Sequence, residues 1–153
     1  MRIYLAARYS RREELCGYRE QINALSGHAV EACWLNGKHQ ISDTGTPIGD
    51  HGESLVEGDD GSTNVRAAEL RGKFAAEDFR DVIMCDMLIA FTEPPRSNAS
   101  RGGRHVEFGI ALGRMKRVWI VGPRENIFCW LEDVRQFETF EAAIEQLRTE
   151  GNP

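Results

Sequence analysis

Short apolar runs that alternate with helical patterns constrain the fold of this chain more than any other feature. The runs occupy residues 2–7, 28–35, 86–92 and 117–122, and each has the length of a buried strand. Stretches with apolar residues at helical spacing lie between them. Such an alternation is typical of a parallel sheet with helices on both faces. We therefore predict an α/β fold, a doubly wound parallel sheet of the flavodoxin-like or Rossmann-like kind.

Local signals mark the ends of the helices. Ser10 and Glu13 form a capping box that predicts the start of the first helix, and Gly27 predicts its end. A long second helix is predicted over residues 65–85 from its apolar spacing. The remaining predicted elements are a helix over residues 104–115, an edge strand within 128–137 and a last helix that Thr139 caps.

Residues 36–64 differ in character from the rest of the chain, because Gly, Asp, Ser and Thr dominate and no periodicity is present. A stretch of this length without secondary structure is uncommon inside a compact domain. We expect a long flexible loop over the active cleft; the alternative is an insertion that the fold tolerates. The length of 153 residues suits one core, so we expect a single domain over residues 1–153.

Charge and composition narrow the choice of partners. The formal net charge of −5 argues against binding to a nucleic acid polymer. No apolar run approaches the ~18 residues of a membrane-spanning helix, so we expect no membrane partner. The four cysteines show no C-x-x-C spacing and the four histidines no ligand spacing. We expect free thiols, a cytoplasmic location and no metal site.

Arginines cluster in loops that follow two of the predicted strands. In doubly wound sheets, ligands bind beyond the carboxyl ends of the strands. Arg8 and Arg11 follow the first strand, and Arg101 and Arg104 follow the third. Both pairs are therefore predicted at the ligand edge, where they would suit an anion such as a phosphate. The alternative is a solvated charged surface.

A single carboxylate, Glu107, follows two adjacent glycines, Gly102 and Gly103, near the start of the predicted third helix. The N-terminus of a helix stabilises negative charge, and glycines let a ligand approach the backbone closely. This arrangement suits an anion-binding segment with an acid directly behind it. The alternative is that Glu107, predicted in the first helical turn, complements the helix dipole.

Two further polar residues stand out near the predicted strands. Tyr4 lies inside the first strand, where an apolar residue is the default, and a buried tyrosine needs a hydrogen-bond partner. Asp78 lies near the end of the second helix, eight residues before Asp86. The alternatives are a tyrosine on a half-exposed strand and an aspartate that faces solvent.

Three segments in this order resemble the nucleoside 2-deoxyribosyltransferases and the related nucleotide N-hydrolases, which include 2′-deoxynucleoside 5′-monophosphate N-glycosidases. The segments are "IYLAA", "AEDFRDVIMCDMLIAF" and "SRGGRHVEFGIALGR". The resemblance covers most of the chain outside residues 36–64. It departs from the family pattern at three points. Glu107 follows Ser100 at a spacing of seven positions rather than six, residues 36–64 are longer than in the compact hydrolases, and the loop after the first strand reads "AARYSRR" rather than a glycine-rich turn.

The resemblance implies a role for each matching residue. Glu107 corresponds to the nucleophilic carboxylate that attacks C1′ of the sugar. Asp78 corresponds to the acid that assists departure of the base or contacts the sugar, and Tyr4 to the residue that orients the nucleophile. The residues that correspond to the 5′-phosphate segment, or are candidates for further phosphate contacts, are Ser100, Gly102, Gly103, Arg8 and Arg11.

The function implied by this resemblance is cleavage of the base–sugar bond of a nucleoside or deoxynucleoside 5′-monophosphate, without a cofactor. The basic residues at the ligand edge favour hydrolysis over base transfer. Three alternatives remain open: a 2-deoxyribosyltransferase that exchanges bases, a non-catalytic nucleotide-binding or sensing module, and a flavodoxin-like electron carrier with bound FMN. The joint presence of Tyr4, Asp78 and Glu107 argues against the binding module.

The resemblance also implies a homo-oligomer. The segment "NIFCWL", residues 126–131, is crowded with apolar side chains for a loop. It is a candidate for a contact between subunits; the equal alternative is that these side chains pack into the core.

Overall fold

Five parallel strands form one sheet within the part of the chain that the computed structural model describes, which is residues 1–37, 39, 65–94 and 102–150. The strand order is β2-β1-β3-β4-β5, and every neighbouring pair is parallel. The doubly wound α/β prediction is thereby confirmed, with the order of a flavodoxin-like sheet. The strands are β1 (Arg2–Ala6), β2 (Ala29–Val30), β3 (Met87–Phe91), β4 (Arg117–Val121) and β5 (Val134–Phe137).

Helices cover both faces of this sheet. On one face Tyr18 of α1 stacks on Phe140 of α4, with ring centroids 3.8 Å apart, and on Phe91 of β3. On the other face α2 and α3 pack against each other and against β1. The helices are α1 (Arg12–Asn23), α2 (Val65–Met84), α3 (Gly103–Gly113) and α4 (Phe140–Glu150).

The core lies in the centre of the sheet. All five residues of β3 are buried, as are four of the five in β1, because helices cover both faces of these strands. The predicted cap of the last helix is confirmed, since Thr139 Oγ1 accepts a hydrogen bond of 3.3 Å from the N–H of Ala142. No helix in the described part of the chain is both long and apolar enough to cross a membrane.

The capping box predicted at Ser10 is wrong. Residues Tyr9–Arg11 form a 3-10 turn instead, in which the N–H of Arg11 donates to the carbonyl of Arg8 at 3.0 Å. The α-helix therefore begins only at Arg12, and no side chain caps either end of the turn. Gly27 adopts a positive φ of 81° after the helix has ended at Asn23.

The second strand is much shorter than residues 28–35. It ends at Val30, and Cys33–Asn36 turn into a 3-10 helix. The indole of Trp34 explains this turn, because its Nε1–H donates to the buried carbonyl of Leu5 at 2.8 Å. Most of the loop predicted at residues 36–64 lies outside the described residues, which resume at Val65.

Candidate active site

A hydrogen bond joins Tyr4 and Glu107, which are 103 residues apart in the chain. The hydroxyl of Tyr4 donates to Glu107 Oε1 at 2.7 Å. Tyr4 is completely buried in the middle of β1, so its phenol requires a polar partner inside the protein. The partner comes from α3, because β1 and β3 are neighbours and α3 packs across both.

Glu107 lies in the second turn of α3, whereas the sequence predicts the first turn. The difference arises because the helix begins at Gly103, one residue earlier than expected. Gly102 precedes it with a positive φ of 86°, a conformation that glycine adopts without strain. The carboxylate consequently faces the body of the sheet and is too far along the helix to act as a simple complement of its dipole.

The surroundings of Glu107 make its ionisation difficult. Burial raises the pKa of Glu107 to about 7, the hydrogen bond from Tyr4 opposes this rise, and the negative charge of Asp78 adds to it. The positive charges of Arg104 and His39 lower the pKa again. Burial and the charge of Glu107 raise the pKa of Tyr4 well above 10, so Tyr4 remains a hydrogen-bond donor at neutral pH.

Asp78 projects from α2 into the same region, where His39 contacts it. Nδ1 of His39 lies 3.0 Å from Asp78 Oδ1, and this contact raises the pKa of His39. A carboxylate oxygen has two lone pairs, so Oδ1 can accept a further hydrogen bond from the hydroxyl of a ligand.

His39 is a site residue that sequence reasoning missed. Its Nε2 lies 3.0 Å from Glu77 Oε2, its ring stacks on Phe74, and only 6% of its side chain is exposed. Burial lowers the pKa of His39, but its contacts with Asp78 and Glu77 outweigh burial and raise the pKa above 6.5. The adjacent acids of α2 are visible in the sequence, but no spacing connects them to residue 39.

The arginines predicted at the ligand edge have different environments. Nε of Arg8 is enclosed and has no hydrogen-bond partner among the described residues. Arg11 instead binds both carboxylate oxygens of Glu14, at 2.7 and 2.8 Å, and contacts Glu93 at 3.4 Å. Of the two, Arg8 has the greater unused capacity to donate hydrogen bonds.

Arg104 is not an open anion site. It is 4% exposed, donates to the carbonyl of Phe91 at 3.3 Å and pairs with Glu125 at 2.6 Å. The same oxygen of Glu125 accepts the N–H of Glu93 at 2.7 Å. Arg104 thus joins the loops that follow β3 and β4, and its charge also acts on Glu107.

The described residues leave space beside the two glycines at the start of α3. A Cβ atom placed on Gly102 or Gly103 would meet no atom of the described residues within 4 Å. The N-terminus of a helix with such open space suits a phosphate group. Ser100 and Arg101, the other predicted residues of this segment, lie outside the described residues.

Comparison with solved structures finds the same fold in two nucleoside- or nucleotide-related enzymes. A CMP N-glycosidase, BcmB, from Clostridium botulinum is 15% identical, with a TM-score of 0.54, over 97% of this chain and 99% of that chain. A 2-deoxyribosyltransferase from Bacillus psychrosaccharolyticus is 18% identical, with a TM-score of 0.60, over 94% of this chain and 90% of that chain. At this identity the likeness shows the fold. No family model and no curated protein matches the chain.

The raised pKa of Glu107 should make the free energy of unfolding depend on pH. The pKa of a glutamate in the unfolded chain is 4.5, so the folded protein holds the proton of Glu107 more tightly than the unfolded chain does. This difference adds to the free energy of unfolding at low pH, and the added stability is lost as the pH rises through about 7. We expect Glu107→Gln, which keeps an acceptor for Tyr4, to raise the free energy of unfolding by about 1–3 kcal/mol at pH 8. Urea unfolding at pH 5 and pH 8 measures this, and the gain should nearly vanish at pH 5.

The matched control is Glu132→Gln, because Glu132 is an exposed glutamate in the loop before β5. It should change stability little at either pH. A loss of stability in Glu107→Gln at pH 8, or an equal gain at both pH values, would contradict the electrostatic description of the site.

Proposed function

We propose that this protein is an N-glycosidase that cleaves the base–sugar bond of a nucleoside or deoxynucleoside 5′-monophosphate, with Glu107 as the nucleophile. The observation that carries the proposal is the hydrogen bond between the buried Tyr4 and the partly buried Glu107, with Asp78 close enough to raise the pKa of both groups. The names of the two structural neighbours, a CMP N-glycosidase and a 2-deoxyribosyltransferase, support the same chemistry.

Glu107 performs the first step. Breaking an N-glycosidic bond develops positive charge at C1′, which a carboxylate can capture. Oε1 is bound by Tyr4, so we assign the attack to Oε2. The new Oε2–C1′ bond forms as the C1′–N bond breaks, and the bonding electrons leave with the base, which takes up a proton from solvent. The product of this step is a glycosyl ester of Glu107.

Water completes the hydrolysis. A water molecule attacks C1′ of the ester, loses a proton, and releases the sugar phosphate together with the free carboxylate of Glu107. Asp78 is suited to this reaction because its Oδ1 can accept a hydrogen bond from a sugar hydroxyl or from the attacking water. We assign the role of orienting and ionising Glu107 to Tyr4, since its hydrogen bond favours the carboxylate form.

The 5′-phosphate is assigned to the start of α3 and to Arg8. The N-terminus of α3, which begins at Gly103, offers the positive end of the helix dipole and the first backbone N–H groups of a helix. Arg8 adds a charged donor whose Nε has no partner among the described residues. Arg11 is a lesser candidate, because Glu14 and Glu93 already bind its guanidinium, and Ser100 completes the proposed set.

Base exchange is the second candidate reaction. It differs only in the last step, where a second nucleobase rather than water attacks the glycosyl ester of Glu107. The fold shared with a 2-deoxyribosyltransferase favours this candidate. Product analysis with a free acceptor base separates the two, since only a transferase forms a new nucleotide.

A homo-oligomer in the cytoplasm belongs to the same proposal. Residues Ile127–Trp130 form a 3-10 helix, in which Cys129 is buried. Four other apolar side chains of residues 126–131 are exposed, which argues against the alternative that the whole segment packs into the core. Exposed apolar clusters of this kind are typical of protein contacts. The exposed fractions are 78% for Ile127, 58% for Phe128, 71% for Trp130 and 47% for Leu131.

Base release tests the proposed reaction. Purified protein is incubated with ribo- and deoxyribonucleosides and with their 5′-monophosphates, and free base is measured by chromatography. We expect release from at least one 5′-monophosphate, and a loss of at least about 1000-fold in Glu107→Ala because the nucleophile is gone. Glu132→Gln should retain full activity. Wild-type rates in Glu107→Ala, or no release from any substrate, would contradict the proposal.

Arg8 and Arg11 provide a separate test of the phosphate assignment. A charge-assisted hydrogen bond contributes about 1.5–3 kcal/mol, so Arg8→Ala should lower kcat/KM for the 5′-monophosphate by roughly 10- to 100-fold. The same substitution should leave the activity on the nucleoside, which lacks the phosphate, nearly unchanged. Arg11→Ala should act in the same direction but less strongly. Equal losses for nucleotide and nucleoside in Arg8→Ala would remove the assignment.

A further inference from the structure

His39 reaches the site through a segment that three side chains anchor. The N–H of Cys33 donates to Asp81 Oδ2 at 2.7 Å, which ties the segment to α2. The indole of Trp34 ties it to β1, and Arg12 of α1 donates to the carbonyl of Leu35 at 2.8 Å. The chain after Val30 is thus fixed to three different elements of the fold.

Gly37 follows these anchors with a φ of 77°, in the left-handed region. Glycine adopts this conformation without strain. Two residues later, His39 stacks on Phe74 and lies between the carboxylates of Glu77 and Asp78.

We propose that His39 is a positioning residue of the site, whose imidazolium holds Asp78 in place and supplies the positive charge that offsets Asp78 beside Glu107. The proposal rests on the function proposed above, because it assigns His39 a part in the same reaction. A purely structural histidine would not need contacts with two carboxylates in addition to an almost completely buried side chain.

The charges around Glu107 and His39 determine how the loss of His39 changes the pKa of Glu107. Glu107 is acted on by Tyr4 of β1, Asp78 of α2, Arg104 of α3 and His39. His39 itself faces Glu77 and Asp78, and Lys73 lies 3.9 Å from Glu77. Asp78 raises the pKa of Glu107, whereas His39 lowers it. Loss of the imidazolium therefore leaves the charge of Asp78 unopposed and makes Glu107 harder to ionise.

The test variant is His39→Gln, which keeps a polar side chain but removes the charge. The acid limb of the kcat/KM profile reports the ionisation of the free enzyme, so it should move to higher pH by about half a unit or more. His39→Lys, which restores a positive charge, should move the limb back toward the wild-type position. The control is His28→Gln, because His28 precedes β2 at the opposite edge of the sheet.

A direct titration separates this inference from the proposed function. The carboxyl carbon of Glu107 is followed by NMR in the ligand-free wild type and in His39→Gln, with Glu107→Gln to assign the signal. We expect a midpoint near 7 in the wild type and a higher midpoint in His39→Gln. This shift would support the role of His39 even if no substrate released a base. An unmoved midpoint, or reduced activity with an unchanged pH profile, would reduce His39 to a structural residue while leaving the proposed reaction intact.

Discussion

The hydrogen bond between Tyr4 and Glu107 is the interaction on which the candidate site depends. It joins the centre of β1 to the second turn of α3 across 103 residues of chain, at 2.7 Å. It forms only because the order β2-β1-β3-β4-β5 sets β1 beside β3 and lets α3 cross both strands. Fold and site are therefore coupled, since a different strand order would leave the phenol and the carboxylate apart.

The same interaction brings a carboxylate into a region that opposes its charge. Burial and Asp78 raise the pKa of Glu107, whereas Tyr4, Arg104 and His39 lower it, and the balance lies at about 7. A group poised near neutrality suits catalysis, because it can ionise when needed and is reactive when ionised. The molecule gives up some stability at alkaline pH for this arrangement, as is common where function requires strained electrostatics.

Much of the fold is predictable from the sequence, because its signals are local. The apolar runs of β3 and β4 and the cap at Thr139 depend on neighbouring residues, and these predictions are confirmed. The failures have one local and one distant cause. Ser10 does not cap a helix because a 3-10 turn forms there, and the second strand ends early because Trp34 enters the core to reach Leu5.

The candidate site likewise has features that are visible in the sequence and features that only the fold determines. A buried Tyr4 in need of a partner and the isolated Glu107 are visible in the sequence, but their hydrogen bond is a property of the strand order. His39 gives no sequence signal, since its place beside Asp78 results from anchors on three elements. The sequence also places Arg104 at the ligand edge without revealing that Glu125 neutralises it.

A covalent bond between Glu107 and the sugar is the step that distinguishes this mechanism from direct attack by water. Peptide mapping by mass spectrometry, after a reaction with a 2′-fluoroarabinofuranosyl nucleoside 5′-monophosphate, detects this bond most directly. The fluorine destabilises positive charge at C1′, so the glycosyl ester should break down slowly and accumulate. We expect the release of about one base per protein molecule, and an added mass of one fluorinated sugar phosphate on the peptide that contains Glu107. Base release with that peptide unmodified would contradict this mechanism.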